Sequence, residues 1–263
     1  MTESETIDWH VVDRPLPGHR RPGHGTPIVL LHGFTQTGLS WEPVATRLRH
    51  DLDLLAPDAP GHGRSAEISR AIDDYAALLA SSVGPALYVG YSMGGRTALH
   101  LATSRPDLVR GLVLIGATPG LESESERHDR RTADEALARR IVDIGLDPFL
   151  EEWLAQPLFR SLGRDSWNLV DRRRNTPRGL ASSLRTAGTG TQESLWNRLG
   201  DVACPTVLVT GSLDEKFTAL ARRMSASIRD SEHVIVADRG HAVHLEDPRT
   251  VADIVNRLAS LVA

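Results

Sequence analysis

The sequence predicts an α/β protein built on a doubly wound, mostly parallel sheet with an inserted helical lid. Three observations carry that expectation. Short apolar runs alternate with stretches of helical spacing along most of the 263 residues. At residues 86–102 the pattern reads strand, sharp turn, helix around Gly90-Tyr91-Ser92-Met93-Gly94. The span from Leu121 to about Leu195 is helical and charged with no convincing strand, too long for a structureless loop in a compact domain.

The elements follow in order. Thr26 to Leu31 is a continuous apolar run, as expected of a strand buried on both faces of a parallel sheet. Trp41 to His50 has helical spacing. Leu52 to Ala56 reads as a strand and Ile72 to Ser82 as a helix. Ala86 to Val89 leads into the Gly90–Gly94 turn and the helix after it, and Val109 to Ile115 is the next strand. After the helical span come a strand at Thr206 to Thr210, a helix at Phe217 to Ile228, a strand at His233 to Ala237 and a last helix from Asp247. The expected organisation is a core of residues 1–120 and 196–263 with a lid of residues 121–195. Ligands of such sheets bind at the carboxyl ends of the strands.

Composition narrows the function classes. At 40% hydrophobic, the chain can bury one large core, or one core with a lid. A net charge of −4 and a pI near 6.3 give no general attraction to nucleic acid or anionic lipid. The start, Met1 to Thr6, is acidic and polar, unlike a signal or transit peptide, and no apolar run reaches bilayer length. A cytoplasmic protein is expected, monomeric or a small homo-oligomer, with no nucleic-acid or membrane partner. The single cysteine, Cys204, precludes an intrachain disulfide and suits a packing role. Of the 30 basic residues only Lys216 is lysine, two residues after Asp214.

The chemistry is concentrated at strand ends. In Gly90-Tyr91-Ser92-Met93-Gly94 the glycines permit a strained turn that presents the Ser92 hydroxyl above the sheet. Leu30-Leu31-His32-Gly33-Phe34 runs a strand into a glycine turn. The N–H groups of Phe34 and Met93 are the candidate donors for negative charge that develops in a reaction. Asp214 ends one strand and His241 follows another, so Ser92…Asp214…His241 has the chain order of an α/β-hydrolase triad. His241 would take the serine proton and Asp214 would fix its tautomer. Among eleven histidines, His62 belongs to a turn and His244 suits packing or hydrogen bonding. Arg96 lies one helical turn after Ser92, where a cation opposes the helix dipole. It is either paired with a protein carboxylate or kept for an anionic ligand.

His32-Gly33-Phe34, Asp58 to Ser65, the Ser92 turn, Asp214 and His241 together resemble the α/β-hydrolase superfamily across nearly the whole chain. Gly90 to Arg96, Thr118 to Leu121, Trp153 to Phe159, Arg173-Arg174-Asn175, Gly211 to Phe217 and Gly240-His241 resemble, more narrowly, the 2-succinyl-6-hydroxy-2,4-cyclohexadiene-1-carboxylate synthases of menaquinone biosynthesis. That family eliminates pyruvate from a polycarboxylate cyclohexene, 2-succinyl-5-enolpyruvyl-6-hydroxy-3-cyclohexene-1-carboxylate. The resemblance implies a Ser92–Asp214–His241 triad flanked by Tyr91. It implies Arg96, Arg130 and Arg173 on substrate carboxylates, with Trp153, Phe159 and Lys216 lining the site. Arg172 and Arg174 compete with Arg173, and Arg127 with Arg130. The expected partner is a small anionic polycarboxylate, with no cofactor and no metal. The alternative is a carboxylesterase or C–C bond hydrolase with Ser92 as covalent nucleophile.

Overall fold

A computed structural model describes residues 10–13 and 16–262, so the acidic start Met1–Thr6 lies outside the described residues. Along the chain run β1 (His10–Val12), β2 (Gly18–Arg21), β3 (Pro27–Leu31), α1 (Glu42–Ala45), β4 (Asp53–Pro57), α2 (Ile72–Val83), β5 (Ala86–Tyr91), α3 (Met93–Ser104) and β6 (Val109–Ile115). Four helices follow: α4 (Glu124–Ile144), α5 (Leu146–Leu154), α6 (Leu169–Arg172) and α7 (Pro177–Ala187). The sheet then resumes with β7 (Thr206–Gly211), α8 (Glu215–Ser227), β8 (Ser231–Val236), α9 (Val243–Glu246) and α10 (Pro248–Leu261).

The strands pair in the order β1-β2-β4-β3-β5-β6-β7-β8. From β4 to β8 every pairing is parallel, and β1 and β2 add an antiparallel edge. Period-two alternation along the central strands builds two cores. Ile28, Leu30, Leu87, Val89, Val113, Ile115, Val207 and Val209 face one side, with Trp41, Val44 and the α10 residues Val251, Val255 and Leu258. Val29, Leu31, Tyr88, Leu112, Leu114 and Leu208 face the other, with Leu79, Leu99, Leu101 and Met224 from α2, α3 and α8. Cys204 packs into this second core as a free, buried thiol.

The inserted helices carry a small core of their own, in which Ala138 and Ile141 meet Phe149, Leu150, Leu180 and Leu184. Its first helix begins at a reciprocal cap. The Ser123 hydroxyl accepts from the Glu126 N–H at 3.1 Å, and the Glu126 carboxylate accepts from the Ser123 N–H at 3.0 Å. Such a cap contributes about 1 kcal/mol and gives α4 a sharp start.

The helix expected from Trp41 to His50 is shorter. A 3₁₀ turn at Gly38–Trp41 leads into α1, which ends at Ala45. Tertiary hydrogen bonds take the backbone beyond it: Arg21 donates to the Arg49 carbonyl at 2.6 Å, and the Arg49 N–H donates to Asn256 at 3.1 Å. No helix among the described residues is long and apolar enough to cross a membrane.

Candidate active site

Three strand ends bring the chemistry together. Between β5 and α3 the chain reverses through Ser92, whose φ of 50° and ψ of −105° are strained for a non-glycine residue. Strain of this kind costs on the order of 1–3 kcal/mol and persists only where the surroundings enforce it. Here the Ser92 N–H donates to the Ile115 carbonyl at 2.8 Å, and its carbonyl accepts from Arg96 at 3.0 Å. Close approach sets the turn: a Cβ at Gly94 would strike the Leu31 carbonyl.

Asp214, after β7, divides its carboxylate. Oδ1 accepts from the Phe217 N–H at 3.3 Å and caps α8, while Oδ2 lies 2.7 Å from His241 Nδ1. A carboxylate there requires the proton on Nδ1, so Nε2 turns a lone pair toward Ser92 Oγ at 3.3 Å. Asp214 and His241 are buried. Gly116, at φ 55°, leaves room for the imidazole, since a Cβ there would come within 2.8 Å of His241 Cε1. Phe217 closes the other side, its ring centroid 4.4 Å from that of His241.

The loop carrying Phe34 is held by buried neutral histidines. His32 donates from Nδ1 to the Gly33 carbonyl at 2.8 Å and accepts the Ala59 N–H on Nε2 at 2.9 Å. His62 donates to the Pro60 carbonyl at 3.1 Å and accepts the Thr35 N–H at 3.3 Å. Burial pushes both rings below the ordinary imidazole range, His62 to about 3. Asp171, Arg172 and Asn175 pin the same loop from above. Asp171 accepts the Thr37 N–H at 3.1 Å, Arg172 donates to the Thr35 hydroxyl, and Asn175 donates to the Thr35 carbonyl at 2.7 Å. The N–H groups of Phe34 and Met93 find no acceptor among the described residues.

These groups line a cavity of ≈ 680 Å³. Tyr91, Ser92, Met93, Phe34, Arg96, Arg130, Trp153, Phe159, Lys216 and His241 all reach it. Its aromatic wall is continuous, with Trp153 centroids 5.2 Å from Phe34 and 5.8 Å from Phe159. Tyr91 packs against His244 with ring centroids 4.1 Å apart and planes tilted by 38°, so His244 is a packing residue that also accepts from Gln36 at 3.1 Å.

The arginines differ sharply. Arg96 is buried at 7% exposure and donates only to neutral acceptors, Gln192 Oε1 at 2.6 Å and the Ala187 carbonyl at 2.7 Å. It has no ion-pair partner among the described residues. Burial, and then the neighbouring Arg130, lowers its pKa to about 10, with Asp134 opposing. Arg130 does pair with a carboxylate, Asp134, at 2.8 Å. Burial in turn pushes the Asp134 carboxyl above the usual range, although Arg130 opposes it. Arg130, not Arg127, faces the cavity; Arg127 is paired with Glu124 at 2.9 Å.

Arg173 corrects the expectation. It is paired with Asp147 at 2.8 Å on the surface and does not line the cavity. Successive residues leaving a helical turn point about 100° apart, so the three consecutive arginines diverge. Arg172 turns inward and donates to the Thr35 hydroxyl and the Trp167 carbonyl without lining the cavity, and Arg174 is exposed. Three site residues carried no role in the sequence reading. Phe217 sits inside a quoted motif, and Asp134 could have been found as the i+4 partner of Arg130. Gln192 lies in a loop with no local signal. Among the described residues no group of three or more His, Cys, Asp or Glu is arranged to hold a metal ion.

Residues 28–254 match a family model described as the alpha/beta hydrolase family. A Salmonella typhimurium protein named 2-succinyl-6-hydroxy-2,4-cyclohexadiene-1-carboxylate synthase is 32% identical over 258 residues, covering 94% of this chain and 99% of its own length. A Bacillus subtilis protein that bears the same name provisionally is 35% identical over 275 residues, covering 100% of this chain and 98% of its own. The solved structure of MenH from S. aureus superposes with a TM-score of 0.85 at 26% identity, covering 98% of each chain.

Proposed function

We infer, for a chain that belongs to the alpha/beta hydrolase family, the activity its relatives are named for: elimination of pyruvate from a polycarboxylate cyclohexene to leave 2-succinyl-6-hydroxy-2,4-cyclohexadiene-1-carboxylate. The observation that carries this reading is Arg96, a buried cation one helical turn from Ser92 and held only by neutral acceptors. An arginine kept without a carboxylate partner beside a catalytic base suits a substrate that brings its own carboxylates.

The reaction needs a base, a site for developing negative charge and a grip on the anion. His241, acting through Ser92 Oγ, takes a proton from the ring carbon. The electron pair of that C–H bond, next to the succinyl carbonyl, becomes the C2=C3 double bond, the existing C3=C4 pair moves to C4=C5, and the C5–O bond to the enolpyruvyl group breaks. The departing enolate recovers the proton at carbon and leaves as pyruvate. Phe34 and Met93 N–H groups stabilise the transient negative oxygen, and Arg96 and Arg130 fix the carboxylates so that the ring C–H meets Ser92. Trp153, Phe159 and Tyr91 bound the ring, and Lys216 stands at the rim. Residues 121–195 serve as the lid over a core of residues 1–120 and 196–263.

The test is pyruvate release from the precursor by purified protein, with Ser92→Ala as control. Loss of a triad member lowers turnover by about 10³-fold or more while the fold is kept. Efficient hydrolysis of simple esters without pyruvate release would instead support the esterase reading, for which the Ser92–His241 contact is equally suited.

A further inference from the structure

The cavity contains two arginines in contrasting states, and the difference traces to one uncharged residue. Arg130 donates to the Asp134 carboxylate at 2.8 Å and is 41% exposed at its side chain. Arg96 is buried, yet its nearest acceptor is the amide oxygen of Gln192 at 2.6 Å, with the Ala187 carbonyl at 2.7 Å on its other arm. A glutamate at 192 would have the same shape and would pair with Arg96 more strongly.

The orientation of Gln192 is also fixed at some sacrifice. Its Nε2 is buried with no hydrogen-bond partner. It packs against Gly120, at φ 104°, where a Cβ would approach Nε2 to 2.7 Å. Turning the amide over would set its NH₂ against the guanidinium, so Oε1 is committed to Arg96 and the NH₂ is left over.

We infer that Gln192 is a specificity-determining positioning residue: it aims the Arg96 guanidinium by hydrogen bonding while leaving its full charge for a carboxylate of the bound anion. The inference rests on the reading of the site as a polycarboxylate site. Asp134 does not take over this pairing, because its Oδ1 is engaged by Arg130. Its Oδ2 is buried without a partner and adjoins Gly188. Gln192 thus separates two tasks that a carboxylate would merge, holding the arginine still and cancelling its charge.

Two variants separate this role from simple support. In Gln192→Glu the arginine stays held but is neutralised, so KM for the precursor rises about tenfold or more with kcat nearly unchanged, and Tm is kept or raised. In Gln192→Met the charge is kept and the acceptor lost, so Tm falls while KM rises less than in Gln192→Glu. A merely structural role predicts the reverse ranking, with function following stability. Calorimetric titration with citrate reads the same charge without chemistry, and the Glu variant should bind it about tenfold more weakly, a difference of ~1.4 kcal/mol. Equal citrate binding by wild type and Gln192→Glu, or binding by neither, overturns the inference and leaves pyruvate release to be judged separately. Weaker citrate binding by the variant in a protein that releases no pyruvate retains Gln192 and removes the lyase reading.

Discussion

Replacing Arg96 by methionine should divide stability from function. Burial lowers the Arg96 pKa from the ordinary guanidinium range to about 10, which at ~1.4 kcal/mol per unit puts the penalty for keeping the charge at ~3 kcal/mol. For a base with a depressed folded value, that penalty is fully present below about pH 10 and therefore at neutral pH. Methionine removes it while preserving much of the packing volume. Against this, Gln192 Oε1 and the Ala187 carbonyl lose their donors, at about 1–3 kcal/mol in a cavity that water can enter. The two nearly cancel, so the urea midpoint of Arg96→Met should stay close to wild type. Function does not cancel: losing a charge-assisted contact to a bound carboxylate costs about 2–5 kcal/mol, or roughly 10²-fold or more in kcat/KM for the precursor. A variant that is clearly destabilised yet turns over the precursor normally would refute both the charge penalty and the anion role.

Acidification should unfold the protein from about neutral pH downward. His62 sits at about 3 when folded and near 6.5 when unfolded, so the unfolded state binds the proton first. Its contribution is intact above 6.5 and is lost at ~1.4 kcal/mol per pH unit below that value, with His32 and His244 adding to the slope; a urea midpoint unchanged between pH 7 and pH 5 would contradict this. Asp134 has the opposite sign. Its folded value is raised above 3.8, so ionisation lowers wild-type stability as pH climbs through the window above 3.8. Asp134→Asn, which lacks that slope, should gain in relative stability between pH 4 and pH 7 in paired urea titrations, and a pH-independent difference would remove the assignment.

The central sheet and the triad were legible because they follow strong local rules. Buried parallel strands such as Val109–Ile115 are unbroken apolar runs, and glycine around Ser92 marks a turn that few other residues could make. The antiparallel edge was not legible. Gly18–Arg21 is short and polar, and it becomes a strand only because β4 offers a ladder and Asp53 pairs with Arg20 at 2.7 Å. Arg173 failed for a related reason: a run of three arginines specifies positive charge, whereas the direction of each side chain depends on where α6 ends. Gln192 was invisible because its importance is relational. Nothing in Thr191-Gln192-Glu193 indicates that Arg96, nearly a hundred residues earlier, will need an uncharged acceptor.

Several departures from ordinary folding rules lie at or beside this cavity, and that bears on what the fold is arranged to do. Ser92 holds a strained backbone, Arg96 a buried charge, and Asp134, Gln192 and Trp153 each a buried polar atom without a partner. In the loop presenting the Phe34 N–H, by contrast, both ring nitrogens of His32 and His62 are engaged. Those neutral rings share the loop with the buried Arg172, which donates to Thr35, while the cations that line the cavity itself are Arg96, Arg130 and Lys216. An esterase acting on uncharged substrates would gain nothing from those cations, whereas an enzyme that seats several carboxylates beside its base would use them.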